Sequence, residues 1–85
     1  MKFDWLITFR SITYAQRGER ALRGIGIECL LTRTPRELSN RGCGYCLKIR
    51  GRDALAAVEL LRDKEIVFGK VYAAAETGKM EERVL

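Results

Sequence analysis

Residues 43–46 read Cys-Gly-Tyr-Cys, and this stretch concentrates the reactive side chains of the 85-residue chain. A CxxC spacing has three readings: a redox pair, half of a metal site, or two cysteines that merely stand close in sequence. The thioredoxin-type version needs its first thiol at a helix amino terminus, where the dipole and free N–H groups stabilise thiolate. Here the motif leads into an alternating, strand-like segment. Residues three apart in a regular strand face opposite sides and lie about 10 Å apart, so they cannot bond. A Cys43–Cys46 disulfide therefore requires Gly42 and Gly44 to turn the chain. A zinc site needs four ligands, and three cysteines with no histidine supply them only if two chains share the site. No metal and no cofactor are expected. Cys29, the third cysteine, alternates with apolar residues and reads as a small buried hydrophobe.

The surroundings favour a reactive Cys43. Arg33, Arg36, Arg41 and Arg50 lie close in sequence, the flanking glycines remove steric cover, and the Pro35 to Asn40 stretch can present N–H groups. Positive charge and turn donors lower a thiol pKa and hold anionic adducts such as a persulfide. The plainer reading, a solvated basic rim, stays open beside it.

Composition narrows the function classes. The net charge is +5, and 47% of residues are hydrophobic, which is globular composition. The length allows one small domain, read as residues 1–74, followed by a polar tail over 75–85. With no histidine, imidazole acid–base chemistry and Cys–His nucleophile pairs are excluded. An odd number of cysteines without a secretory signal points to free thiols and a cytoplasmic location. No run approaches 18 apolar residues, so no membrane span is expected. A carrier, binder or redox partner fits these bounds better than a self-contained enzyme.

The elements that must position the thiols follow from periodicity. Phe3, Trp5, Ile7 and Phe9 alternate with Asp4, Leu6, Thr8 and Arg10, which predicts a strand with one apolar face. Ser11 is placed to cap a helix from Ile12 to Arg23, ended by Gly24 and Gly26. Gly18 inside that helix costs about 1 kcal/mol relative to Ala, so it marks a close helix–sheet approach. Strands are expected over Ile27 to Thr32, Gly44 to Arg50 and Ile66 to Ala73, with a bulge at Gly69. A second helix begins near Asp53, where Ala54, Leu55, Val58 and Leu61 make an apolar stripe. Thr34 and Pro35 start a single turn between the second and third strands. The order is βαββαβ: an α+β, ferredoxin-like fold with a four-stranded antiparallel sheet and two helices on one face. Leu6 and Leu30 are expected on the uncovered face, a surface for a homodimer or a docking partner.

Several segments resemble a known small-domain family: Leu6-Ile7-Thr8-Phe9 with Ser11, Gly24-Ile25-Gly26-Ile27, Thr34-Pro35-Arg36-Glu37-Leu38-Ser39, and Cys43-Gly44. The resemblance is to the selenium/sulfur (Se/S) carrier protein-like family and covers about Trp5 to Tyr72. It implies a cysteine that carries sulfur or selenium as a persulfide or selenopersulfide, exchanging it with donor and acceptor proteins of selenium or sulfur metabolism. Carried over by position, Cys43 takes the family's cysteine, and Pro35, Arg36, Glu37 and Ser39 take its loop motif. Two departures stand out. The stretch from Pro35 to Cys43 is one residue longer, and Cys46 replaces a small apolar residue. The second leaves single-thiol carriage and dithiol exchange both open, because Cys46 can release an adduct from Cys43 by thiol attack.

The site expected from this reading comprises Cys43 and Cys46 as reactive thiols, with Arg36, Arg41, Ser39 and Gly44 binding the anion. Two rivals stand against it. The βαββαβ layout and basic balance also suit an RNA-binding domain, with weak, salt-sensitive phosphate contact. That reading needs outward aromatics on the third strand, whereas the alternation of Tyr45, Leu47 and Ile49 turns Tyr45 inward. The other rival is a plain protein-interaction module.

Overall fold

In the computed structural model, which describes residues 3–38 and 44–85, the elements run β1 (Trp5–Phe9), α1 (Ile12–Gly24), β2 (Leu30–Arg33), β3 (Tyr45–Ile49), α2 (Ala54–Asp63), β4 (Val71–Ala74) and β5 (Met80–Arg83). A single 3-10 turn, Gly51–Asp53, leads into α2. The strands form one antiparallel sheet in the order β2-β3-β1-β4-β5. This is a roughly ferredoxin-like α+β arrangement with a fifth strand added beside β4. The four-stranded expectation is thus corrected to five, and the loose tail expected after Ala74 contains a strand instead. Gly78, at φ +87, lies in the turn between Ala74 and Met80, where Gly78 N–H donates to Ala75 O at 2.8 Å. Polar side chains do not prevent strand formation at an edge, since only backbone groups need to pair.

Local chemistry sets the helix ends. Ser11 Oγ accepts from the amides of Thr13 at 3.1 Å and Tyr14 at 3.5 Å, as an N-cap should. The far end of α1 closes with Ile27 N–H on Leu22 O at 2.9 Å and Gly26 N–H on Arg23 O at 3.0 Å. Gly26 sits at φ +85, the left-handed geometry this closure needs. The end of α2 repeats the pattern through Ile66 and Leu61, but its left-handed residue is Glu65 at φ 56.

The core lies between the sheet and the two helices. Ile7 and Phe9 of β1, Leu47 and Ile49 of β3 and Val71 of β4 meet Ala15 and Leu22 of α1 and Ala57, Val58 and Leu61 of α2. A Cβ built on Gly18 would come within 3.2 Å of Phe9 Cζ and Leu47 Cδ1 and 3.3 Å of Leu61 Cδ2. The close approach expected at Gly18 is present. Trp5 packs partly buried against the same core.

The second and fourth strands begin well after the starts expected from sequence. β2 begins at Leu30, yet Ile27 and Cys29 still enter the core and Leu31 packs against it, so the facing was read correctly. β4 begins at Val71 because the ladder is interrupted upstream. Thr8 N–H donates to Lys70 O at 2.9 Å while Gly69 N–H donates to Thr8 O at 2.6 Å, so two residues share one partner. That is the bulge expected at Gly69.

The side of the sheet without helices departs furthest from expectation. Leu30 is 47% exposed there, but Leu6 is only 2% exposed. Register explains the difference. Leu6 lies between Lys48 on β3 and Tyr72 on β4, whereas Leu30 sits on an edge strand with a neighbour on one side only.

Candidate functional site

The site expected from sequence is centred on the connection from β2 to β3. Its two ends are described, and Ser39, Arg41 and Cys43 lie outside the described residues. Thr34 N–H donates to Gly44 O at 3.0 Å, which continues the β2–β3 ladder one pair beyond the strands. Leu38 N–H donates to Pro35 O at 2.9 Å, closing the expected single turn. Pro35 suits that place because its fixed φ is preorganised for a turn. Arg36 is exposed on the turn. Among the described residues, nothing lies within 4 Å of a would-be Cβ on Gly44.

Cys46 is in a different environment. Strand alternation sends Tyr45, Leu47 and Ile49 toward the helices and Cys46 to the opposite side, where its register partners are Thr8 on β1 and Thr32 on β2. Its side chain is fully buried. The thiol lies 3.8 Å from Arg33 O, a weak contact for sulfur. Burial pushes its pKa up, against smaller opposing pulls from the Lys48 charge and the Thr34 hydroxyl. Thr34 Oγ1 is itself buried and makes no conventional hydrogen bond among the described residues, so the neighbouring thiol is its polar company. Cys46 is therefore a protonated, covered thiol at rest.

Cys29 is buried on the helix side, as expected. Burial also raises its pKa and the Glu19 charge adds to the rise, while Arg23 opposes them by hydrogen bonding and charge. Its sulfur lies 3.9 Å from Glu19 O on α1. The two described cysteines thus occupy opposite sides of the sheet, and both are free thiols.

The arginines near in sequence do not converge in space. Arg33 stacks over the Tyr45 ring at 5.4 Å, and Arg50 pairs with Glu28. Both are committed to partners away from Cys46, leaving Arg36 as the described arginine free to act at the turn. Sequence reading missed three contributors: Thr8, Thr34 and Lys48. Thr8 Oγ1 accepts from Lys70 N–H at 2.8 Å and is 1% exposed, so it is a structural hydroxyl that pins the bulge. Spacing by two along each strand places Thr8 on one face with Leu6, and Thr34 with Thr32. The missing signal was the register that brings those faces to Cys46.

Beside this region lies a cleft of about 700 Å³, bordered by Glu37 and Leu38 of the turn, Arg10 after β1, and Phe68 and Lys70 of the bulged segment. The turn carrying the loop motif is therefore one wall of this cleft. No aromatic of β1 or β3 is offered on the uncovered side, because Tyr45 packs toward the core. The stacking platform of an RNA-binding domain is not built on these strands. Among the described residues, no helix is long and apolar enough to cross a membrane, and no group of three metal-ligating side chains converges.

Fold and loop together define a small ferredoxin-like α+β domain with a motif-bearing turn set against a cleft at the end of its sheet. Residues 4–73 match the family model described as "Putative Se/S carrier protein-like". The chain belongs to that family. No curated protein and no solved structure matches it.

Proposed function

We propose that this protein carries sulfur or selenium as an adduct on Cys43, receiving it from a donor protein and passing it to an acceptor. The observation that carries the reading is family membership over residues 4–73, with Cys43-Gly44 at the end of the Pro35-Arg36-Glu37-Leu38-Ser39 connection. In the forward step, the Cys43 thiolate attacks the outer sulfur of a donor persulfide. A new S–S bond forms on Cys43, and the donor leaves as a thiolate. Arg36 and Arg41, with Ser39 and the backbone at Gly44, would hold the terminal anion. Attack by an acceptor nucleophile on that terminal atom then returns Cys43 as thiolate.

Cys46 serves as the auxiliary thiol. Its attack on the inner sulfur of a Cys43 persulfide forms a Cys43–Cys46 disulfide and releases hydrosulfide, and a dithiol reductant restores both thiols. Burial and a raised pKa make this the slower route. Single-thiol carriage is thus the main activity and dithiol release the secondary one.

The test is to load the protein with a desulfurase-generated persulfide, or with the selenopersulfide the same kind of enzyme forms from selenocysteine, and to read intact mass and the alkylated peptide map. One chalcogen atom on Cys43 is expected. Cys43→Ser should abolish the adduct, and Cys46→Ser should retain it with a longer lifetime. An unmodified Cys43 under conditions that load a known carrier overturns the proposal.

A further inference from the structure

The sheet ends in two edges of unlike chemistry. β5 reads Met80, Glu81, Glu82, Arg83, with Arg83 on Glu81 at 3.2 Å and Lys70 on Glu82 at 3.5 Å. Charges of this kind guard an edge, because pairing would strip their water. A two-fold self-pairing centred on either middle residue would also set a carboxylate against its own copy. β2 reads Leu30, Leu31, Thr32, Arg33. Its one charge is at the end, stacked on Tyr45, and Leu30 is 47% exposed.

The hydrogen-bond parity of β2 shows which backbone groups are free. The Thr34–Gly44 bond marks a bonded pair, and alternation then directs Leu30 and Thr32 to β3 and turns the Leu31 N–H and C=O outward. We infer that β2 is a dimerisation edge, pairing antiparallel with β2 of a second copy about a two-fold axis through Leu31. About that axis Leu31 exchanges both backbone bonds with the Leu31 of the second copy. Each Arg33 N–H reaches a Cys29 carbonyl, which already accepts Arg23 Nη2 at 3.1 Å and has a second lone pair. Leu30 is laid beside Thr32 of the second copy on the side without helices, covering apolar surface the monomer leaves wet. The two Arg33 residues stand four positions apart across the axis, roughly 13 Å. That exceeds the Debye length of about 8 Å at physiological salt, so like charges do not oppose the pairing. The product is a continuous ten-stranded sheet with β5 at both ends.

Sedimentation of the full chain over a concentration series tests this. The wild type should dimerise, and Leu30→Lys should weaken the dimer at least tenfold. Leu31→Pro should abolish it while keeping a native far-ultraviolet spectrum, because the amide it removes points away from β3 and takes no part in the β2–β3 ladder. Should Leu31→Pro fail to fold, Leu30→Lys decides alone. Glu82→Thr on the opposite edge should leave the association constant unchanged. A wild type that stays monomeric throughout overturns the inference, as does a dimer that Leu30→Lys leaves intact or one that Glu82→Thr disrupts.

Discussion

β3 separates two dry regions that are built from different materials. Toward the helices it presents Tyr45, Leu47 and Ile49 to a continuous apolar core. Away from them it presents Cys46 among Thr8, Thr32 and Thr34, with Leu6 two register positions along. Both regions exclude water: Leu47 and Cys46 are equally inaccessible and Leu6 nearly so. The first does so with two amphipathic helices, the second with cross-strand neighbours and Thr34 just past the end of β2. Burial by helices is dispersed over many contacts and yields only when the domain unfolds. Burial that rests on a few neighbours near a strand end can open locally.

Thiol labelling should resolve that difference most sharply. Cys29 should react with a thiol reagent orders of magnitude more slowly than in denaturant, because it awaits global unfolding. In a Cys43→Ser background Cys46 should react faster than Cys29, through local opening near the strand end. Equal rates would show that both sides of the sheet open only together.

Truncation comes next in size. Leu47→Ala should cost about 2–5 kcal/mol in denaturant titrations, as large-to-small core changes do. Leu6→Ala should fall at the lower end of that range, since the side without helices can collapse more readily onto the lost volume. A Leu6→Ala loss well under 1 kcal/mol would mean that this side is wet in solution. Overpacking tests the helix side from the opposite direction. Gly18→Leu must displace Phe9, Leu47 or Leu61 and should cost about 1–3 kcal/mol, with little change in the Cys46 labelling rate.

Alkaline pH probes both thiols at once. Each has its pKa raised by burial in the folded state, so each keeps its proton longer than in the unfolded chain. The resulting stability is complete below the ordinary thiol range, near 8.5, and is lost as pH climbs through the raised folded values. Unfolding midpoints should fall with rising pH above that range, and Cys29→Ala and Cys46→Ala should each flatten the slope. The smallest effect is expected at the end of α2, where Glu65 occupies the left-handed position that glycine fills in α1. Glu65→Gly should raise stability by about 0.5–1 kcal/mol. It should slow Cys29 labelling and leave local exposure of Cys46 unchanged.

Much of the scaffold was readable because its signals are short-range. Ser11 caps α1, Gly26 closes it, Gly18 marks the close approach, and Gly69 and Lys70 share Thr8, each legible from residue type and a few neighbours. The fifth strand was not, because Met80–Arg83 has no apolar alternation and is held by pairing with β4. The site was legible as a composition of residues and less so as an arrangement. Proximity in sequence suggested one arginine cluster, but Arg33 and Arg50 turn to Tyr45 and Glu28.

The chain's own order of residues was enough for the helix limits, the inward faces of the strands and the family to which the loop motif belongs. These depend on periodicity and on backbone preferences that act within a turn or two. The sealing of Leu6 and Cys46 on the side without helices, the freedom of Leu31 at an edge and the dispersal of the arginines came only with the assembled sheet. Burial and pairing are set by what lies across from a residue, and cross-strand neighbours here stand up to sixty-eight positions apart along the chain.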